Sequence, residues 1–132
     1  MDFIQWNESV ILNVPIMDEQ HKNMADLTNQ LHGLLETNKK AQINKIFKSI
    51  LDDMLVHFDT EDKLMKESKL PLFFSHKLEH ERFHNKLNNI YLDVQSGGKQ
   101  LTLDDLKLMK IWFFNHIDGK DRILADHILA NS

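Results

Sequence analysis

Apolar residues recur at helical spacing along most of the chain. From Met17 to about Asn38, the positions Met24, Leu27, Leu31, Leu34 and Leu35 fall close to one face of an α-helix. Asp18 is placed to cap that helix or to serve as an acid in its first turn. A second stripe runs from about Ala41 to Lys66 through Ile43, Ile46, Phe47, Ile50, Met54, Leu55 and Phe58, and the Ser68–Pro71 stretch breaks it. A third covers about Phe73 to Gln95, with Leu78, Phe83, Leu87, Ile90 and Tyr91 expected inward, and stops at Ser96-Gly97-Gly98. The fourth starts near Thr102, where Asp104 and Asp105 make a helix-start signature, and continues through Leu106, Met109, Trp112, Phe113 and Ile117. Gly119 interrupts it before Ile123, Leu124 and Ile128 resume the pattern. Residues 1–16 keep no helical period and read as an N-terminal arm. No strand-like alternation persists. Four helices with short connections predict an all-α fold, an up-down-up-down antiparallel four-helix bundle over about residues 17–130 of a single 1–132 domain.

Composition narrows the chemistry. The 132 residues are 42% hydrophobic and 27% charged, enough to bury a core without staples. There is no cysteine, so disulfides, zinc ribbons and iron–sulfur clusters are excluded. The formal charge of −4 shows no basic face for nucleic acid. The N-terminus lacks the form of a signal peptide, and apolar runs such as Ile111 to Phe114 are too short to span a bilayer. A cytoplasmic monomer that touches neither membrane nor nucleic acid is the expectation.

Eight histidines stand out against one tyrosine, and histidine is the commonest metal ligand. The first helix offers His21. The second offers His57 and Glu61, and the third His76 and His80, both pairs spaced to share a helix face. The fourth offers His116 and Asp121. In an alternating bundle these positions fall near one physical end. Burying two carboxylates is costly without compensation, and a pair of divalent cations supplies it. Nitrogen and oxygen donors without sulfur suit iron, manganese or zinc. Two bridging carboxylates would leave five imidazoles to divide as three and two. His116 and Asp121 make the weakest pair, because five residues turn about 140° beyond one full turn of a regular helix. An irregularity is therefore expected near Gly119.

The combined run resembles the hemerythrin family over nearly the whole chain. It consists of Trp6…Asp18-Glu19-Gln20-His21, His57-Phe58-Asp59-Thr60-Glu61, His76-Lys77-Leu78-Glu79-His80 and Trp112…His116-Ile117…Asp121. The resemblance implies two non-haem iron ions (Fe2+/Fe3+). His76, His80 and His116 would hold the first and His21 and His57 the second. Glu61, Asp121 and an oxo or hydroxo group would bridge them. It further implies reversible binding of molecular oxygen at the five-coordinate second iron, for storage, delivery or sensing, in a binding protein rather than an enzyme. Met24, Phe58, Phe83, Trp112 and Ile117 are candidates for an apolar oxygen pocket, although a helical apolar stripe is ordinarily core. Two other readings of the same centre stay open. One is an enzyme reducing oxygen, peroxide or nitric oxide, with an unidentified reductase or oxygen-using enzyme as partner. The other is an iron-handling protein.

A ferritin-like reading through Asp18-x-x-His21 and Glu81-x-x-His84 would strand His57, His76 and His116. His32 and His127 lie eleven residues beyond proposed ligands, about 16 Å along the axis, and are expected at the core edge or in solvent. His84 is placed to cap the pocket or to hydrogen-bond a neighbour of a ligand.

Overall fold

The computed structural model describes residues 2–71 and 73–131. After a short 3-10 turn at Glu8–Val10, α1 spans Pro15–Gly33, α2 Lys40–Ser68, α3 Phe73–Ser96 and α4 Leu103–His116. The fourth helix continues through a π turn, Ile117–Asp121, into α5, Arg122–Ala130. Helices run up and down in sequence, and no strand occurs among the described residues. None of the described helices is long and apolar enough to cross a membrane.

Local chemistry sets the ends. Pro15 begins α1, where its missing N–H costs nothing and its fixed φ suits a first turn. Asp18 is a first-turn acid, and its carboxylate accepts the backbone N–H groups of Leu12 at 2.8 Å and Asn13 at 3.0 Å, tying the arm to the helix. α1 stops at Gly33, short of Asn38; Leu34 and Leu35 lie in the turn that follows. α2 closes with Lys69 in the left-handed region at φ 58, and the Leu70 N–H reaches back to the Met65 carbonyl. Gly97 ends α3 at φ 84, a conformation that favours glycine, with the Gly98 N–H on the Asp93 carbonyl. Thr102 caps α4 in a reciprocal box with Asp105.

The core runs the length of the bundle and takes in Phe47, Ile50, Leu51, Leu87, Leu106 and Leu124. Three residues expected inward are exposed instead: Leu55, Leu78 and Ile123. Leu55 follows buried Met54 by one residue, about 100° around the helix. Leu78 lies midway between buried His76 and His80 and so points to the opposite face. Ile123 likewise sits one step from buried Leu124. The arm is fastened across the helices: Ile4 exchanges hydrogen bonds with the Asn29 side chain, and Lys110 donates to the Phe3 carbonyl.

Candidate metal centre

Seven side chains meet at one end of the bundle. His21 comes from α1, His57 and Glu61 from α2, His76 and His80 from α3, His116 from α4 and Asp121 from the π turn. Each is at most 3% exposed. The π turn brings the last two together. A turn closed by i→i+5 bonds takes one more residue than an α turn, so His116 and Asp121 can both face inward five residues apart. Gly119 lies within this turn without a positive φ, and a Cβ there would meet nothing within 4 Å. The expected irregularity is present, but it is a π turn that does not depend on glycine.

The seven donors sort into two groups. Glu61, His76, His80, His116 and Asp121 can face one point, and His21, His57, Glu61 and Asp121 another. Each carboxylate serves both. Glu61 presents Oε1 to His80 at 2.9 Å and Oε2 to His57 at 3.4 Å. Asp121 presents Oδ1 to His116 at 2.9 Å and His76 at 3.0 Å, and Oδ2 to His21 at 2.9 Å. Within the groups, the Nε2 atoms of His21 and His57 are 3.0 Å apart, and those of His80 and His116 2.9 Å. Two nitrogens about 2.1 Å from one ion and at right angles around it would stand about 3.0 Å apart.

Alignment fits a cation as well. Both Glu61 oxygens and Asp121 Oδ2 are buried with no acceptable hydrogen bond among the described residues, although imidazole nitrogens lie so close. Close approach without alignment is what results when donors are directed at a common point rather than at each other. The electrostatics agree. Burial opposes ionisation of Glu61, yet the positive charge of His57 and its neighbours holds that carboxyl well below its usual range. Asp121 is depressed too, against burial and the charge of Glu61, by His116 and His21. Burial likewise opposes protonation of the imidazoles. Against it, Glu61 raises His57, the hydrogen bond to Asp121 raises His76, and Asp121 raises His116 well above the usual value. Burial lowers His80. Two ionised carboxylates in a dry core demand positive charge, from protons or from metal.

Two helpers escaped the reading of the sequence. His57 Nδ1 donates to Gln20 Oε1 at 2.7 Å, and His116 Nδ1 donates to Glu79 Oε1 at 2.8 Å. Each leaves its Nε2 directed at the cluster, the usual second partner of a metal-bound imidazole. The signal was present, since each helper immediately precedes a proposed ligand: Gln20 before His21, Glu79 before His80. The site in fact repeats itself. His21 and His57 are 36 residues apart, as are His80 and His116, and both helper pairs are 37 apart. The repeat breaks four residues before the first histidine of each half, where α3 has His76 and α1 has wholly buried Met17. That difference makes the histidine count three and two.

The aromatic candidates surround the imidazoles. Phe58 stacks on His80 at 3.8 Å and tilts against His57 at 6.0 Å. Trp112 stacks on His116 and Phe83 on Trp112, placing both on the three-histidine side. Phe113, absent from the sequence candidates, lies edge-on to His21 at 6.0 Å. Met24 and Ile117 are buried core residues next along their helices. The remaining histidines stand elsewhere. His32 stacks on Phe3, His127 bonds the Ser68 carbonyl, and the His84 Nε2 has no hydrogen-bond partner among the described residues.

Comparison with known proteins gives one answer. A bacteriohemerythrin of Stenotrophomonas maltophilia is 29% identical over 99% of this chain and 85% of its own. One from Methylococcus capsulatus is 27% identical over 89% and 90%. A crystal structure of a hemerythrin variant matches with a TM-score of 0.92 at 25% identity, over 97% of this chain and 98% of its own. The Hemerythrin HHE cation binding domain matches residues 12–128, and the chain belongs to that family.

Proposed function

We propose that this protein binds two iron ions between its four helices and takes up molecular oxygen reversibly there. The observation that carries this reading is the division of each carboxylate, with one oxygen toward each histidine group. Glu61 and Asp121 would bridge. His76, His80 and His116 would hold one ion, and His21 and His57 the other. The nitrogen and oxygen donor set suits iron, and the matched relatives are named bacteriohemerythrins. When bound, the iron pair supplies the electrons that let oxygen be held and released.

The chain supplies the rest. The His21/His57 group has four protein donors against five, which leaves room for a small ligand on that side. Phe113 and Phe58 lie against His21 and His57 and make that side apolar, and buried Met24 and Ile117 would extend the wall that limits entry of water. Trp112 and Phe83 brace the His116 ring. Gln20 and Glu79 hold the Nδ1 protons of His57 and His116, so both rings keep the tautomer that offers Nε2.

The test is iron stoichiometry with the visible spectrum, reduced without air and then exposed to it. Two irons per chain, with a colour that appears in air and vanishes when oxygen is removed, are the expected result. Two irons without a reversible colour would overturn the oxygen-carrying reading in favour of oxygen or peroxide reduction, or of iron handling.

A further inference from the structure

The repeat within the site isolates one chemical difference. In each half, the residue before a histidine crosses to the next helix and fixes the outer nitrogen of its partner histidine. In the His21/His57 half that residue is Gln20, a neutral amide, and it is itself anchored by donating to Thr60 Oγ1 at 3.0 Å. In the His80/His116 half it is Glu79, a carboxylate. Among the described residues the Nδ1 atoms of His21 and His80 have no partner, so these two bonds are the outer support of one imidazole in each half. We infer that Glu79 and Gln20 make the two halves of the centre unequal in charge, with Glu79 strengthening metal retention by the His76/His80/His116 half beyond what its third histidine provides.

A carboxylate on the far nitrogen of an imidazole makes the near nitrogen a better donor, and it places a negative charge beside the ion. An amide gives the same geometry without the charge. Glu79 lines an open groove of about 530 Å³ between α3 and α4, with Arg82, Lys86 and Lys120 around it. Neither Arg82 nor Lys86 forms an ion pair among the described residues, and Lys120 donates to Ser75 Oγ. The Glu79 side chain is 35% exposed, so solvent screens its charge. The effect is therefore about tenfold in affinity rather than thousands. Because the amide and the carboxylate occupy equivalent places, exchanging them changes charge while keeping a hydrogen-bond acceptor at each ring.

This inference rests on the two-metal reading, and the experiment separates the two. Cobalt(II) is titrated anaerobically into the metal-free protein and followed by its visible absorption, in the wild type, Glu79→Gln, Glu79→Ala, Gln20→Glu and the Gln20→Glu/Glu79→Gln exchange. The wild type should bind two ions in two resolved steps. Glu79→Gln should weaken the tighter step about tenfold, Glu79→Ala at least as much, and Gln20→Glu should tighten the weaker step, so that the exchange narrows the gap. In the iron-loaded protein, Glu79→Gln should also raise the midpoint potential, a change that a purely structural role would not produce. If Glu79→Gln matches the wild type in both affinity and potential while Glu79→Ala falls, Glu79 only orients its ring and the inference is overturned. If the wild type itself fails to bind two ions, the two-metal reading falls, and the inference with it.

Discussion

At one end of the bundle Leu31, Phe47, Ile50, Leu87 and Leu106 meet, with Tyr91 edge-on to Phe47. In the other half, five imidazoles and two carboxylates take the centre, with buried Met17, Met65 and Leu124 beyond them along their helices. The apolar end is stabilised by water exclusion and close packing, which do not depend on direction. The polar end leaves both Glu61 oxygens and Asp121 Oδ2 without a hydrogen bond among the described residues, so its contribution depends on what occupies it. One set of helices thus carries a half that maintains the fold and a half that is free to bind.

Separate damage to each end gives the sharpest break. Phe47→Ala should cost about 3–5 kcal/mol in denaturant unfolding of the metal-free protein. Whatever folded protein remains should bind the same number of ions. Glu61→Ala should do the reverse: metal affinity falls on the order of 100-fold or more, because both groups lose a donor at once, while the helical spectrum persists. Metal loss in Phe47→Ala, at a temperature where it is folded, would show that the two ends are not separable.

The two ends should also part company with pH. Without metal, His57, His76 and His116 have raised values, so their stabilisation is present below about 6.5 and is lost as pH rises through the raised values. Glu61 and Asp121 are depressed, so theirs is present above about 4 and is lost as pH falls. Bound metal needs neutral imidazoles and removes the loss at high pH. Thermal unfolding between pH 6 and 9 should therefore fall for the metal-free protein and stay level for the loaded one. Parallel curves would contradict this account of the polar end.

Smaller effects are expected at the margins of the two ends. Thr102→Ala, which removes the α4 cap at the apolar end, should cost about 1 kcal/mol without altering metal content. Gly119→Ala should be close to neutral, within about 0.5 kcal/mol, with both ions retained, because space and φ permit a side chain there. A large loss of metal in that variant would mean the π turn needs glycine.

Both ends were readable in the sequence to different depths. The four helices follow from apolar spacing and punctuation at Ser68–Pro71, Gly97 and Thr102, although the first begins at Pro15, inside the expected arm. Periodicity misplaced Leu55, Leu78 and Ile123 because an apolar residue one or two steps from the buried stripe looks like part of it, and only packing decides. The grouping of the seven polar side chains was legible because helical spacing and alternation put them at one level. The five-residue step flagged an irregularity without saying that it would be a π turn. Gln20 and Glu79 were overlooked because their partners lie 37 residues away on another helix, a relation that no local pattern encodes.

On the proposed reading, Glu61 and Asp121 each serve two metal ions. Ions per chain are counted after anaerobic loading and desalting in the wild type, Glu61→Ala and Asp121→Ala. The wild type should hold two ions and either variant fewer than two, since each removes a donor from both groups. Two ions retained in either variant, or a single ion in the wild type, would contradict that reading.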